Sequence, residues 1–512
     1  MSESTREKKN IKYGVILSYG SMLVSFICTL LFTDKILDHI GDYNYGLYTF
    51  IGSITAWLTI ATSALTASYL RFTSIEAAEK NTTSRTNTLY LKLFSFIGTA
   101  VTIIGLIVCG ILFLTKVNFA DYSWEDSKTM YILFAISIVN IGITTNTTVY
   151  KLFITYKSRF IFEKTLAVVI VVLNYVGQFI VAFLTKNIIA LSTYVLLVSV
   201  FNIVSHYVYA KKKCGIQFER VSLKQNKNLI KSIAVFSGIL LINSIVDQIN
   251  SNVDKTLLGF FSKPEDVTVY QMGMQFNSYL VVMVVAISSV FAPKINKLVV
   301  EQKKEELDFL FAKVSRMQSI VVCCIAFGFV ACGKEFIIWW IGESRVDAYY
   351  VGAVLMIINI MPLAVKTSVD IQRAMNKHYF RSIMYFAVAI INIALSIFFL
   401  HILQNKYAIY ACLLGSIIAS LLTQWTTMNV FNYKVIKLPM GKVLLRLFVC
   451  IIYGLGSTVI VKIITEMFIN NIQEILIRLL LEIVVYIIVY LAFLVIFERK
   501  FIFSFLNRKK LH

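Results

Sequence analysis

Residues 475 to 497 read ILIRLLLEIVVYIIVYLAFLVIF, an apolar run interrupted by two charged side chains, Arg478 and Glu482. About 20 apolar residues suffice to carry an α-helix across the roughly 30 Å hydrocarbon layer of a membrane. Similar runs occur repeatedly on the N-terminal side of this one, separated by short polar gaps. The chain is therefore predicted to be an all-α polytopic membrane protein.

Fourteen such runs are predicted to be transmembrane helices. Their approximate bounds are 11 to 33, 47 to 70, 89 to 115, 129 to 152, 160 to 184, 188 to 210, 232 to 259, 267 to 292, 316 to 341, 348 to 373, 382 to 403, 408 to 431, 443 to 465 and 475 to 497. The gaps leave no room for a separate soluble domain. The first run is longer than the apolar core of a signal peptide, so we expect the first helix to be retained.

The net charge of +21 has a particular distribution along the chain, which is 58% hydrophobic. Lys and Arg concentrate in alternate gaps and at both termini. One span too few or too many would place them on both faces of the membrane, so this distribution supports the number of fourteen spans. Cytoplasmic loops of membrane proteins carry such an excess. We therefore expect both termini in the cytoplasm, and we expect no nucleic-acid partner. Seven of the eight cysteines lie in predicted spans, and the five histidines are scattered, so no metal site, cofactor or catalytic residue is expected.

A basic loop of 21 residues, KKKCGIQFERVSLKQNKNLIK at 211 to 231, follows the sixth span. Residues 33 to 37 (TDKIL) have a counterpart six spans later at 253 to 257 (VDKTL). An even number of intervening spans gives both copies the same direction through the membrane, as in a parallel repeat. The predicted parts are an N-lobe (1–210), this cytoplasmic linker (211–231), a C-lobe of six spans (232–431), and two further helices with a basic tail (432–512).

Polar side chains inside a bilayer should face protein or a water-filled cavity, and the seventh predicted span carries four on one face. Asn243, Asp247, Asn250 and Asp254 recur at intervals of four, three and four residues. Two carboxylates on one such face indicate contact with water, a cation or a proton. Asp247 and Asp254 are therefore candidates for ion or proton coupling, and the two asparagines for a substrate cavity.

The tenth predicted span carries Asn359, Pro362, Lys366 and Asp370. Lys366 and Asp370 have the i, i+4 spacing of an ion pair. Lys366 is therefore either a counter-charge for an anionic substrate, a structural partner of Asp370, or a side chain that snorkels to the membrane surface. Pro362 lacks an amide hydrogen and should kink the helix, so it is a candidate hinge.

Three other spans carry polar stripes. Candidate cavity residues there are Asn140 and Lys151 in the fourth span and Gln271 and Gln275 in the eighth, and the second span has threonines at 55, 59, 62 and 66. Side chains of this kind also hold neighbouring helices together through hydrogen bonds. The sequence allows both interpretations, a cavity lining and helix-joining hydrogen bonds, and for the threonines it favours neither.

Several short motifs resemble a known family, the Wzx-type flippases of O-antigen and capsule assembly. Those in the second half are NVDKTLLGFF, VTVY, VFAPKI, EELDFLFAKVSR and FGFVACGKEFIIWWIGE, in order across 252 to 343, and those in the first half are IGDYNYGLYTFIGSI (40–54) and SYLRFTS (68–74). The resemblance covers nearly the whole chain. Its wider superfamily includes MATE drug antiporters and lipid II flippases.

The resemblance implies a MATE-like pair of lobes around a cavity that opens alternately to either side of the bacterial inner membrane. It implies as cargo an undecaprenyl-pyrophosphate-linked oligosaccharide for O-antigen, capsule or exopolysaccharide assembly. Membrane lipids, a polymerase and other assembly proteins are the partners it suggests. The alternatives are a proton- or sodium-coupled drug antiporter of the MATE type and, with less support, a membrane glycosyltransferase or polymerase.

Overall fold

The structure, a computed structural model, describes residues 3–119, 122–222, 224, 226–375, 377, 379–403, 407–469 and 474–499, with the side chains of all of these except 3–16, 80, 239, 243, 379 and 469. These residues form α1 (Glu3–Ile40), α2 (Asp42–Trp57), α3 (Ile60–Lys80), α4 (Ser84–Leu114), α5 (Trp124–Tyr156), α6 (Phe160–Thr185), α7 (Ile188–Lys212), α8 (Lys227–Phe261), α9 (Pro264–Val300), α10 (Lys304–Ile341), α11 (Asp347–Ala364), α12 (Lys366–Ala374), α13 (Tyr379–Leu403), α14 (Ala408–Ser420), α15 (Met428–Lys434), α16 (Met440–Ile464) and α17 (Ile475–Phe497). Two π-helical segments, Leu421–Thr427 and Thr465–Ile469, interrupt or follow α-helices.

Thirteen of the described helices are long and apolar enough to cross a membrane, and a bent pair makes a fourteenth. The bent pair is α2 with α3, which meet at an angle of 53° at the position of the second predicted span. The prediction of an all-α protein with about 14 spans is confirmed. This is a multi-pass membrane protein.

The chain forms two compact units, Met1–Thr268 and Val269–His512. In the first unit, α1 lies along α6 and α4 along α5. Gly98 and Gly142 allow the close approach of α4 and α5, since a Cβ on Gly98 would lie 3.0 Å from the carbonyl oxygen of Gly142. Helix α8, which the sequence analysis assigned to the C-lobe, packs on α2 and α3 and so belongs to this unit. The predicted lobes, which rest on the repeat, stay a prediction.

The predicted linker is partly held against the start of α4. The hydroxyl of Ser84 donates to Glu219 Oε2 at 2.8 Å, and Lys92 Nζ donates to the carbonyl of Val221 at 2.7 Å. Asn87 Nδ2 donates to the carbonyl of Gln217 at 3.2 Å. Residues 217 to 221 therefore form an ordered part of the first unit.

In the second unit α10 packs against α11, α16 and α17. The hydroxyls of Tyr486 and Tyr490 on α17 donate to the carbonyls of Cys324 and Ile320 on α10, each at 2.8 Å. The two C-terminal helices, predicted to stand outside the repeated core, are thus attached to the second unit through α10.

Charged side chains reinforce this attachment near the start of α17. Glu335 Oε1 on α10 lies 3.5 Å from both Lys462 Nζ and Arg478 Nη2, and Arg478 Nε lies 3.5 Å from Glu482. The Glu482 side chain is fully buried. Because a buried charge is costly unless it is paired, these contacts hold α10, α16 and α17 together.

A second ion-pair cluster joins the same three helices beyond the end of α17. Arg316 on α10 forms an ion pair with the fully buried carboxylate of Glu498, and Arg446 on α16 lies 3.9 Å from its other oxygen. The two C-terminal helices, α16 and α17, are therefore held to α10 by ion pairs near both of their ends.

Candidate functional site

The predicted polar face of α8 contains two exposed side chains, Asp247 and Asn250. Asp247 makes no hydrogen bond or ion pair with any described residue. Asp254, on the same face, is 9% exposed and interacts electrostatically with its neighbour Lys255. The side chain of Asn243 lies outside the described residues. A carboxylate exposed at membrane depth requires water, so this face of α8 fits a wet cavity.

A second polar face of α8 escaped the sequence analysis. Gln248 Nε2 donates to Thr59 Oγ1 at 3.3 Å, Asn252 donates to Gln248 Oε1 at 2.7 Å, and Thr256 Oγ1 donates to Ser53 Oγ at 3.0 Å. These contacts join α8 to α2 and α3. Thr59, at least, holds helices together, as in the structural interpretation of the threonine stripe.

Helix α5 carries the candidates Asn140 and Lys151. Asn140 is half-buried, and its Oδ1 is buried without a hydrogen-bond partner among the described residues. Lys151 is exposed. Thr144 and Thr147, on the intervening turns, donate to carbonyls of their own helix. Lys151 is therefore accessible, whereas the Asn140 oxygen is enclosed, and the cavity role of both residues stays a prediction.

In the second unit, α9 and α11 meet through side-chain amides. Asn359 Nδ2 donates to Asn277 Oδ1 at 3.0 Å, and the half-buried Gln271 and Gln275 lie on the preceding turns of α9. Asn277 falls outside the spacing of four residues that relates Gln271 to Gln275, so the sequence pattern did not indicate it. Asn359 therefore has a helix-joining contact in addition to any role in a cavity.

Pro362 interrupts the helical hydrogen bonds between α11 and α12. It has no amide hydrogen to donate to the carbonyl of Ile358, four residues earlier. That carbonyl instead accepts from Trp425 Nε1 at 3.1 Å and from Ser420 Oγ at 3.4 Å. Trp425 lies in the π-helical segment Leu421–Thr427. The carbonyl that Pro362 leaves without a helical donor is thus bonded to a second irregular helix, and motion at the predicted hinge would have to break these bonds.

Lys366 is the first residue of α12 and is half-buried. Asp370 accepts a hydrogen bond from Ser288 on α9, and its carboxylate lies 3.9 Å from Arg373 Nη1. Ser288 could not be recognised from the sequence, because its contact joins residues 82 apart. Asp370 therefore has structural partners besides the predicted Lys366.

No group of three or more His, Cys, Asp or Glu side chains suitable for a metal ion occurs among the described residues. The described helices of the two units instead carry amide, hydroxyl and a few charged side chains at membrane depth. Such surfaces suit reversible binding of a polar ligand or ion.

Solved structures similar to this chain are transporters. Lipid II flippase MurJ in an inward closed conformation matches with a TM-score of 0.73 and 15% identity, over 96% of this chain and 99% of that one. An inward-facing multidrug-resistance MATE transporter of the MOP superfamily matches with a TM-score of 0.61 and 11% identity, over 82% and 99%. A MOP superfamily transporter from Pyrococcus furiosus gives a TM-score of 0.52 and 12% identity, over 82% and 96%. The chain has their fold.

No curated protein sequence matches this chain. The family model described as polysaccharide biosynthesis protein matches residues 81–349, a little over half of its length. The chain, a multi-pass membrane protein with the MurJ and MATE fold, therefore belongs to the polysaccharide biosynthesis protein family.

Proposed function

We propose that this protein is a flippase that moves an undecaprenyl-pyrophosphate-linked oligosaccharide from the cytoplasmic to the periplasmic leaflet of a bacterial inner membrane. The observation that carries the proposal is the exposed Asp247 and Asn250 face of α8 in a chain of the polysaccharide biosynthesis family. A polar face at membrane depth gives the sugar and pyrophosphate a wet path, and the lipid tail stays in the bilayer.

The direct test is deletion of the gene in its own host. We expect surface polysaccharide to disappear and lipid-linked oligosaccharide to accumulate in the membrane, and a plasmid copy to restore export. The MATE fold match keeps a drug antiporter as the second candidate. Intact surface polysaccharide with increased drug sensitivity in the deletion strain would support the antiporter and reject the flippase.

Asp247 is proposed to take up and release a proton or to bind a cation during transport. Coupling free energies of this kind are about 1–3 kcal/mol, or roughly 5–150-fold in affinity. We therefore expect Asp247→Asn to reduce glycan export about fivefold or more with normal membrane abundance. Glu305→Gln, the same carboxylate-to-amide change at an exposed position on the first turn of α10, is the matched control. Export by Asp247→Asn equal to that of Glu305→Gln would remove the carboxylate from the mechanism.

Lys366 is proposed to balance the pyrophosphate charge, with Asp370 held by Ser288 and Arg373. A cation close to a phosphate in a low-dielectric site contributes strongly to binding. We expect Lys366→Ala to lose most export and Lys366→Arg to retain more. If Lys366 instead compensates Asp370, the double variant Lys366→Ala, Asp370→Ala will recover export. Surface glycan measured beside membrane abundance separates these outcomes.

A further inference from the structure

The second unit contains a pocket where three irregular or short helical segments meet α13. Its lining residues are Pro362, Val365, Ser368, Val369, Gln372, Arg381, Tyr385, Gln424, Met428 and Asn432. Pro362 and Val365 lie at the break between α11 and α12, and Gln424 lies in the π-helical segment. Irregular backbone at membrane depth is tolerated where it lines a cavity or is buried in protein.

Arg381, on the first turn of α13, is the one charged residue among those lining the pocket. Its guanidinium carbon lies 4.7 Å from the centroid of the Tyr385 ring, at the distance of a cation–π contact. Its Nε is buried without a hydrogen-bond partner among the described residues. Buried donors are almost always satisfied in folded proteins, so this N–H is expected to have its acceptor in a water, a ligand or a group outside the described residues.

The wall formed by α12 and α15 supplies complementary polar groups. Gln372 Nε2 donates to Asn432 Oδ1 at 2.6 Å, and Asn432 Nδ2 donates to Ser368 Oγ at 3.1 Å. Gln372 and Ser368 are almost fully buried, and Gln372 Oε1 has no donor among the described residues. The pocket thus combines a cation, Arg381, whose Nε–H needs an acceptor with a buried acceptor, Gln372 Oε1, that needs a donor. An anion that also carries a hydroxyl group would satisfy both.

The surface beside the pocket is apolar. Phe380 and Ile383, which flank Arg381, are 40% and 63% exposed. On a membrane protein such side chains contact lipid, and the predicted topology places this end of α13 at the cytoplasmic surface. A ligand that reaches Arg381 from here would carry its anion on a lipid.

The pocket lies on a different side of α12 from Lys366 and Asp370. At 100° per residue, Ser368 and Gln372 project about 140–180° away from the mean direction of the pair, and Val369 about 80° away. Asp370 contacts α9, whereas Ser368 and Gln372 contact α15. Ligand binding in the pocket is therefore separable from the role proposed for Lys366.

We propose that this pocket binds the phosphate ester of a membrane lipid in the cytoplasmic leaflet, with Arg381 as its anion ligand. The guanidinium fork pairs with phosphate oxygens, and Gln372 Oε1 accepts from a hydroxyl of the head group. Phosphatidylglycerol, a glycerophospholipid, carries this phosphate as a diester with a hydroxyl on its head-group glycerol, whereas a polyprenyl phosphate carries it as a monoester whose own P–OH is the hydroxyl. If the ligand is the second, the inference rests on the proposed flippase function.

The test uses the full-length protein, purified in detergent and titrated with phosphatidylglycerol, undecaprenyl phosphate or diacylglycerol, with binding measured by native mass spectrometry and by the shift in Tm. We expect both phosphate lipids to bind and diacylglycerol to fail. Arg381→Gln should weaken phosphate-lipid binding at least about tenfold, equivalent to about 1.4 kcal/mol. Lys442→Gln, which removes an exposed cation from the start of α16, should bind as the wild type does.

Gln424→Phe provides a second variant in case Arg381→Gln does not fold. The Gln424 side chain makes no hydrogen bond with a described residue, and phenylalanine there would fill the pocket without removing a contact. It should also abolish binding. Equal binding by Arg381→Gln and Lys442→Gln, or by diacylglycerol, would overturn the proposal. The tighter of the two phosphate lipids identifies the source of the ligand, and a preference for phosphatidylglycerol would leave the flippase function untouched.

Discussion

An Arg316→Leu variant is expected to lose about 3–5 kcal/mol of folding free energy, the usual cost of removing one partner from a buried ion pair. Glu498 is fully buried, and Arg316 is its direct partner. With leucine at 316, the carboxylate would retain Arg446, which is 51% exposed and 3.9 Å away. The measurement is the thermal unfolding midpoint of purified protein in detergent, together with membrane abundance.

Two further variants make this expectation specific to the buried pair. Arg446→Leu removes the exposed partner and should cost at most about 1 kcal/mol. The double variant Arg316→Leu, Glu498→Leu removes both charges and should recover most of the loss. If Arg316→Leu and Arg446→Leu unfold at the same midpoint, burial of Glu498 does not carry the stabilisation.

Gly46→Ala is the other substitution with a large expected effect. Gly46 lies on α2, and a Cβ there would overlap the backbone carbonyl group of Pro264 at the start of α9. Backbone cannot move aside as a flexible side chain can, so we expect a loss at the upper end of the roughly 1–3 kcal/mol usual for overpacking.

Gly52 on the same helix provides a matched control. A Cβ at Gly52 would meet no atom within 4 Å. Gly52→Ala should therefore be neutral or gain about 0.5–1 kcal/mol, because alanine loses less backbone entropy than glycine in a helix. Unfolding midpoints for the two variants give the comparison, and a Gly46→Ala protein as stable as Gly52→Ala would show that α2 and α9 do not pack this closely.

The membrane spans could be predicted from the sequence because hydrocarbon thickness sets the length of an apolar run, which is a local property. The bend between α2 and α3 lies inside one apolar run, so the sequence predicted a single span there and gave no sign of the bend. Arg478 and Glu482 were visible as charges in the last span. Glu335, which pairs with Arg478, lies 143 residues away from it, and no local pattern connects the two.

The candidate site was predicted in part for the same reason. The spacing of Asp247 and Asn250 placed them on one face, and the structure shows both exposed. Gln248 and Thr256 have equally regular spacing, but their bonds to α2 and α3 depend on tertiary packing. Arg381 lies in one of the basic gaps, and its pocket is lined by residues of α11, α12, α15 and the π-helical segment, which no local pattern brings together.

The position of α8 has a consequence for biosynthesis. The chain is made from its N-terminus, and domains generally form in that order. When the first seven helices have been inserted, Ser53 and Thr59 still lack the partners that Thr256 and Gln248 will provide. The first unit is therefore complete only after the loop and the eighth helix have emerged from the ribosome. Until then the hydroxyls of Ser53 and Thr59 keep only the hydrogen bonds that they donate to the carbonyls of Phe50 and Ala56.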